Sequence, residues 1–169
     1  LKYPVFASQN GTDAFDSYDL RTFQNYSWSY QGDPSGVFLR DQFSRDTQLA
    51  MGQAGERGDF YQLYLNGQYW GLFNTDERPE ASFAAAYFGG TKEQYDVIKV
   101  AADNGYNIYA TDGTLDAWTR LWQAAVSGFA TATAYQRVQG NNSDGSRNPA
   151  YVVLLDVDNL IDYMLVIFY

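Results

Sequence analysis

The chain reads as an α+β domain, with strands concentrated early and helices late. Three stretches carry that reading. "DFYQLYLNGQYWGLF", residues 59–73, alternates along its length around Asn66-Gly67. A type I′ turn needs positive φ at both central positions, which Asn-Gly supplies best, so this stretch is a β-hairpin. "PEASFAAAYF", residues 79–88, places Pro79 where a first helical turn tolerates it and continues in strong helix formers up to Gly89-Gly90. Leu115, Trp118, Leu121, Trp122, Ala125 and Phe129 then repeat at helical spacing, the best such periodicity in the chain.

The remaining elements follow in order. "KYPVF" and "SYDLRTF" predict short strands, with Asn10-Gly11 as a turn between them. Residues 29–36, "SYQGDPSG", have loop composition. "VFLRDQFSRDTQLAMG" predicts a helix with Leu39, Phe43, Ala50 and Met51 on one face, closed by Gly52. Asp41 and Arg45 stand at i, i+4 on it. A glycine-rich connector, residues 52–58, leads into the hairpin. In the hairpin's first strand Phe60, Gln62 and Tyr64 take one face, and Tyr61, Leu63 and Leu65 the other. "YDVIKV" predicts a buried strand, and Thr111 or Asp112 can cap the Trp118 helix. "GNNSDGSRN" is a solvated loop. "PAYVVLLDVDNLIDYMLVIFY" reads as two helical pieces, the second capped by Asp156 or Asp158. No internal repeat and no domain boundary shows, so the expectation is one domain over residues 1–169.

Composition narrows the chemistry. Apolar residues make up 46% and aromatics 18%, which is the makeup of a folded core. The net charge is −9, from 20 acidic and 11 basic residues, so a basic nucleic-acid stripe and docking to anionic membranes are both disfavoured. The absence of His and Cys removes Ser-His catalysis, thiolate chemistry and the commonest zinc sites. Acid-base work falls to Asp, Glu, Tyr, Lys or Arg. Leu1 is no start methionine, and the apolar run at Tyr169 carries no stop signal, so the expectation is a piece cut at both ends. That run is too short for a membrane span, and Asp162 within it favours a buried helix.

Each candidate constellation has a plain competitor. Gly52, Gly55 and Gly58 suggest a phosphate cradle but lack G-x-G-x-x-G spacing and join a helix to a strand, which favours a connector. Asp156 and Asp158 have the spacing of divalent-metal ligands, yet capping explains Asp158 equally well. The triplets at Asn10, Asn25 and Asn141 fit glycosylation acceptors, a pattern common by chance. Aromatic side chains suit sugar stacking, but strand and helix periodicity assigns most of them to packing. Asn74, Asp76, Glu77 and Arg78 crowd the space between a strand end and a helix start. The plain account there is N-capping by Asp76 with a surface ion pair.

"LYLNGQYWGLFNTDERPEASFAAAYFGGTKEQYDVIK" resembles the spore-coat CotH kinase family. Asn66, Gly67, Tyr69, Trp70, Gly71, Leu72, Asn74, Glu77, Arg78 and Pro79 match its run Asn-Gly-x-Tyr-Trp-Gly-Leu-Tyr-Asn-x-x-Glu-Arg-Pro, with Phe73 in place of Tyr. "LRTFQNYSW", "FLRDQFSRDTQLAMG" and "DVDNLIDYMLVIFY" extend the resemblance over most of the chain. It implies an atypical protein-kinase-like amino-terminal lobe, an antiparallel sheet with helices, plus the start of a helical lobe. It also implies phosphoryl transfer from ATP, with Mg or Mn, to a coat or surface protein, in a secreted or cell-surface setting. The usual kinase signatures, His-Arg-Asp, Asp-Phe-Gly and a Gly-rich loop, are absent. By that analogy Arg21 is the phosphate-contacting cation in place of the usual Lys, and Asp41 is its helical partner. Asn74 to Glu77 form the hinge at the nucleotide cleft, and Lys99 is a rival cation that Glu77 would pair with. The cofactor-binding set is thus Arg21, Asp41, Asn74, Glu77 and Lys99. The catalytic and metal-holding Asp residues are expected beyond Tyr169, so this stretch alone is expected to be inactive. The competing expectation is a non-catalytic structural or carbohydrate-associated module of an exported protein.

Overall fold

The computed structural model describes residues 2–23, 34–101 and 105–168. The chain falls into two compact units, Leu1–Lys92 and Glu93–Phe168. Helices and antiparallel sheets share both, as the α+β reading expects. The predicted loop at residues 29–36 lies largely outside the described residues, and the Asn25 triplet lies wholly outside them.

The first unit is built on a three-stranded sheet of β1 (Tyr18–Arg21), β2 (Gly58–Leu65) and β3 (Gln68–Glu77), in the order β1-β3-β2. The predicted hairpin joins β2 to β3, with Asn66 at φ 51° and Gly67 at φ 81°. β3 does not end at the hairpin's apolar part. It runs on through Asn74-Thr75-Asp76-Glu77, because β1 pairs with those four residues on one edge, while on the other Gly58 to Phe60 of β2 pair with Asp76 to Asn74 and the Glu77 N–H donates to the Arg57 carbonyl. A polar run makes a central strand here because both neighbouring ladders satisfy its backbone.

Helix α1 (Arg40–Ala50) covers the sheet face that carries Asn74 and Asp76. Its inward side differs from the predicted one. Gln42 is buried, while Leu39 and Phe43 point outward, Phe43 at 72% exposure. The sheet surface opposite is polar, so the polar side of the helix is the complementary one. The opposite sheet face takes the N-terminal segment and α2 (Ala81–Phe88), which contribute buried Phe6, Phe15 and Ala81. Phe6 meets Phe15 edge-on at 5.7 Å. "KYPVF" is therefore no strand. Lys2 makes one bridge to Ala14, and Ala7–Gln9 forms a 3₁₀ turn ended by Asn10 at φ 56°. Pro4 has no N–H to donate to a ladder, and burying Phe6 under the sheet competes successfully with pairing.

The second unit opens with the antiparallel pair β4 (Val97–Ala101) and β5 (Asn107–Asp112). β4 is half-buried rather than buried, with Val100 58% exposed. β5 was not foreseen, and it absorbs Thr111 and Asp112. They therefore do not cap α3 (Asp116–Ser127). Thr114 Oγ1 accepts the Asp116 N–H instead. A short α4 (Ala132–Val138) follows, capped by Thr131. Residues 150–156 are not helical as predicted. The Leu154 and Leu155 N–H groups both donate to the Val138 carbonyl, and adjacent Val152 and Val153 favour extended backbone. Only α5 (Val157–Phe168) forms there, with Asp156 Oδ1 accepting the Asn159 N–H at 3.0 Å. No helix among the described residues is long and apolar enough to cross a membrane.

Candidate functional site

Charge concentrates in the first unit, between α1 and the sheet. Strand alternation sends Asn74 and Asp76 toward the helix, and β1 adds Asp19 and Arg21 on the same face through its register with them. Arg45, reaching down from α1, donates to Asp76 Oδ1 at 2.7 Å and to Asn74 Oδ1 at 3.3 Å, and lies 3.2 Å from Glu56. The Asn74 amide donates to Gln42 Oε1. Gly58 opposes Asp76 because nothing larger fits: a Cβ there would meet Asp76 Oδ1 at 2.3 Å and Gln42 Oε1 at 2.5 Å. Asp76 is 1% exposed, and its Oδ2 has no hydrogen-bond partner. Burial pushes the Asp76 and Glu56 carboxyls above their ordinary values, and Arg45 offsets only part of that.

Glu77 serves the opposite face. One of its oxygens accepts the Arg57 N–H at 2.9 Å and stands 3.4 Å from the Arg57 guanidinium. The other accepts the Tyr87 hydroxyl. The same hydroxyl accepts the Thr12 N–H, and the Arg57 guanidinium lies 4.1 Å from the centre of the Tyr87 ring. Burial, with the bond to Glu77, pushes the Tyr87 phenol up to about 12. The recess beside Glu77 and Arg78 encloses about 20 Å³, enough for a water molecule and too small for a nucleotide.

The structure brings together one predicted pair. Arg21, the last residue of β1, donates to Asp41 in the first turn of α1 at 2.9 Å, with the two side chains 46% and 27% exposed. Two other expectations are corrected. Asn74 to Asp76 are strand residues paired on both edges and Glu77 is the last residue of β3, its N–H on the Arg57 carbonyl, so the hairpin continues as strand through those positions rather than as a hinge. Asp76 caps no helix, since it is spent on Arg45, and the N-cap residue of α2 is Glu80, which makes no side-chain cap bond. Arg78 pairs on the surface with Asp19 at 3.3 Å and Glu80 at 2.5 Å. Lys99 sits on β4 in the other unit, while Glu77 is engaged by Arg57 and Tyr87.

Other candidates resolve into local structure. Asp156 caps α5, and the described residues contain no group of three carboxylates that could hold a metal ion. Asn141 donates its amide to Gln136, which ties down that triplet. Sequence reading missed Arg45 and Arg57 as the organising cations. It paired Arg45 with Asp41 by helical spacing. A signal was available in Gln42, Arg45 and Asp46, a polar stripe at i, i+3, i+4, but the apolar stripe beside it suggested the opposite orientation.

A family model described as "CotH kinase protein" matches residues 28–169. No curated protein and no solved structure gives a match.

Proposed function

We propose that this chain, which belongs to the CotH kinase family, is part of an ATP-dependent phosphotransferase acting on a protein, and that its first unit contributes the nucleotide contacts. The observation that carries this reading is the Arg21–Asp41 pair. A strand cation held by a carboxylate on the neighbouring helix is the arrangement protein kinases use to grip ATP phosphates. Arg stays charged at any working pH, and one bond to Asp41 leaves its remaining N–H donors for a phosphate oxygen. In this reading Asp41 aims the guanidinium. Asn74, paired in register with Arg21, and Glu77 keep β3 in place beneath it. Lys99 remains the alternative phosphate cation. We read both units as parts of one partial CotH-type domain in an exported or surface protein. A Mg or Mn ion would arrive with the nucleotide. The described residues offer no metal cluster of their own, and we assign no catalytic group within residues 2–168.

Titrating Mg-ATP and Mn-ATP calorimetrically into the full-length protein tests the proposal. Losing one charge-assisted bond to phosphate in Arg21→Ala corresponds to roughly 10- to 100-fold weaker binding. The Arg21–Asp41 pair is partly exposed, so its loss leaves the fold intact. Unchanged affinity in both Arg21→Ala and Lys99→Ala overturns the residue assignment. No binding by folded protein favours a non-catalytic, carbohydrate-associated module. The exposed hairpin aromatics Tyr64, Tyr69 and Trp70 are the observation on that side.

A further inference from the structure

The second unit contains two adjoining cavities, of about 370 and 210 Å³. They share Arg120, Val152 and Leu154, so together they form one groove between α3 and the extended segment after Ala150. Phe129 and Trp118 line its two halves. That size and mostly apolar lining, with a few convergent polar groups, is the makeup of a binding site.

Two further features say what it binds. The first is charge. Residues 93–168 hold four basic side chains against nine acidic ones; two of the four, Arg120 and Arg137, face this groove, against one carboxylate in its described lining, Asp96, whose Oδ1 accepts the Thr114 N–H. Arg137 stacks on Tyr151, while Arg120 has no partner among the described residues. The second is backbone. Val152 and Val153 are 59% and 50% exposed, and neither their N–H nor their C=O groups are hydrogen-bonded. An extended segment with open backbone groups is a template for strand addition.

We propose that this groove binds an extended peptide carrying an acidic residue between apolar ones. The peptide pairs with the backbone at Val152 and Val153. Strand alternation turns every second side chain into the groove, where two apolar ones fill the halves and the carboxylate between them meets Arg120. This docking uses no nucleotide and is independent of the phosphotransfer reading.

The test is fluorescence anisotropy with a labelled Val-Ser-Glu-Ser-Leu peptide and the intact chain, without ATP. Saturable binding is expected, weakened tenfold or more by Arg120→Glu and lost when the Glu of the probe is replaced by Lys. N-methylating alternate probe residues, in whichever register faces the chain, is expected to abolish it. Should Arg120→Glu lose its far-UV circular dichroism, Arg120→Gln carries the same test with a smaller loss. Absence of saturable binding, equal binding of the Lys probe, or indifference to N-methylation overturns the proposal. Displacement by an equal concentration of octanoate would likewise overturn it, in favour of a simple apolar acid.

Discussion

Arg45 holds together groups that repel one another. Asp76 and Glu56 both need a cation, and Asp76 has almost no access to water. Removing one partner of a buried pair costs far more than the pair contributes over an apolar replacement, because the remaining charge stays buried. Arg45→Ala is therefore expected to destabilise the protein by about 3 kcal/mol, read as a lower urea midpoint with an unchanged slope. Arg21→Ala, at a half-exposed pair, is expected to cost under about 1 kcal/mol in the same measurement. Equal losses for the two variants would mean that burial does not distinguish the pairs.

The hairpin shows how one local choice sets a whole element. Asn66-Gly67 pairs Leu65 with Gln68, and a bulge between Leu63 and Tyr64 then shifts the register by one residue, which places Asn74 opposite Phe60 and Asp76 opposite Gly58. Without it, the polar half of β3 would lose its alignment with Arg45. A Cβ at Gly67 would meet nothing within 4 Å, so replacement there tests the backbone alone. Gly67→Val is expected to cost about 1–2 kcal/mol through the left-handed conformation at φ 81°. Thermal melts should show it, and an unchanged Tm would mean the turn relaxes to another type. The Pro79 helix was legible in its end at Gly89, whereas it starts at Ala81, which leaves Pro79 just outside the first turn. The Arg40–Ala50 helix was legible in span but not in orientation, because two stripes competed and only the partner surface chose between them.

Taken together, the chain has an excess of negative charge, and acid acts on it in one direction. The folded protein holds Asp76 and Glu56 at raised values, so across the window from their ordinary values, 3.8 and 4.5, up to the raised ones it binds more protons than the unfolded chain. Stability from these groups therefore falls as pH rises through that window and is recovered as pH falls from neutral. Relief of net repulsion adds to this. The Tm is expected to rise as the pH is lowered from neutral toward the ordinary carboxylate range, with Glu56→Gln flattening the rise. A Tm that drops on mild acidification would contradict the burial of these carboxyls.

What the sequence by itself determined is what short-range chemistry specifies. The hairpin and the span of three helices follow from neighbours a few residues apart, the exclusion of thiol and imidazole chemistry from composition, and the family from strings spread along the chain. Tertiary structure decided which polar residues are buried and whom they hold. Arg45 could reach Asp41 along its own helix or Asp76 across the sheet, and spacing alone favours the former. The choice depends on β1 and β2 pairing with both edges of β3, which seals Asp76 from water and leaves Arg45 as the cation able to reach it. Sequence separation carries no information about that desolvation, so the buried charge layer became visible only once the strands were in place.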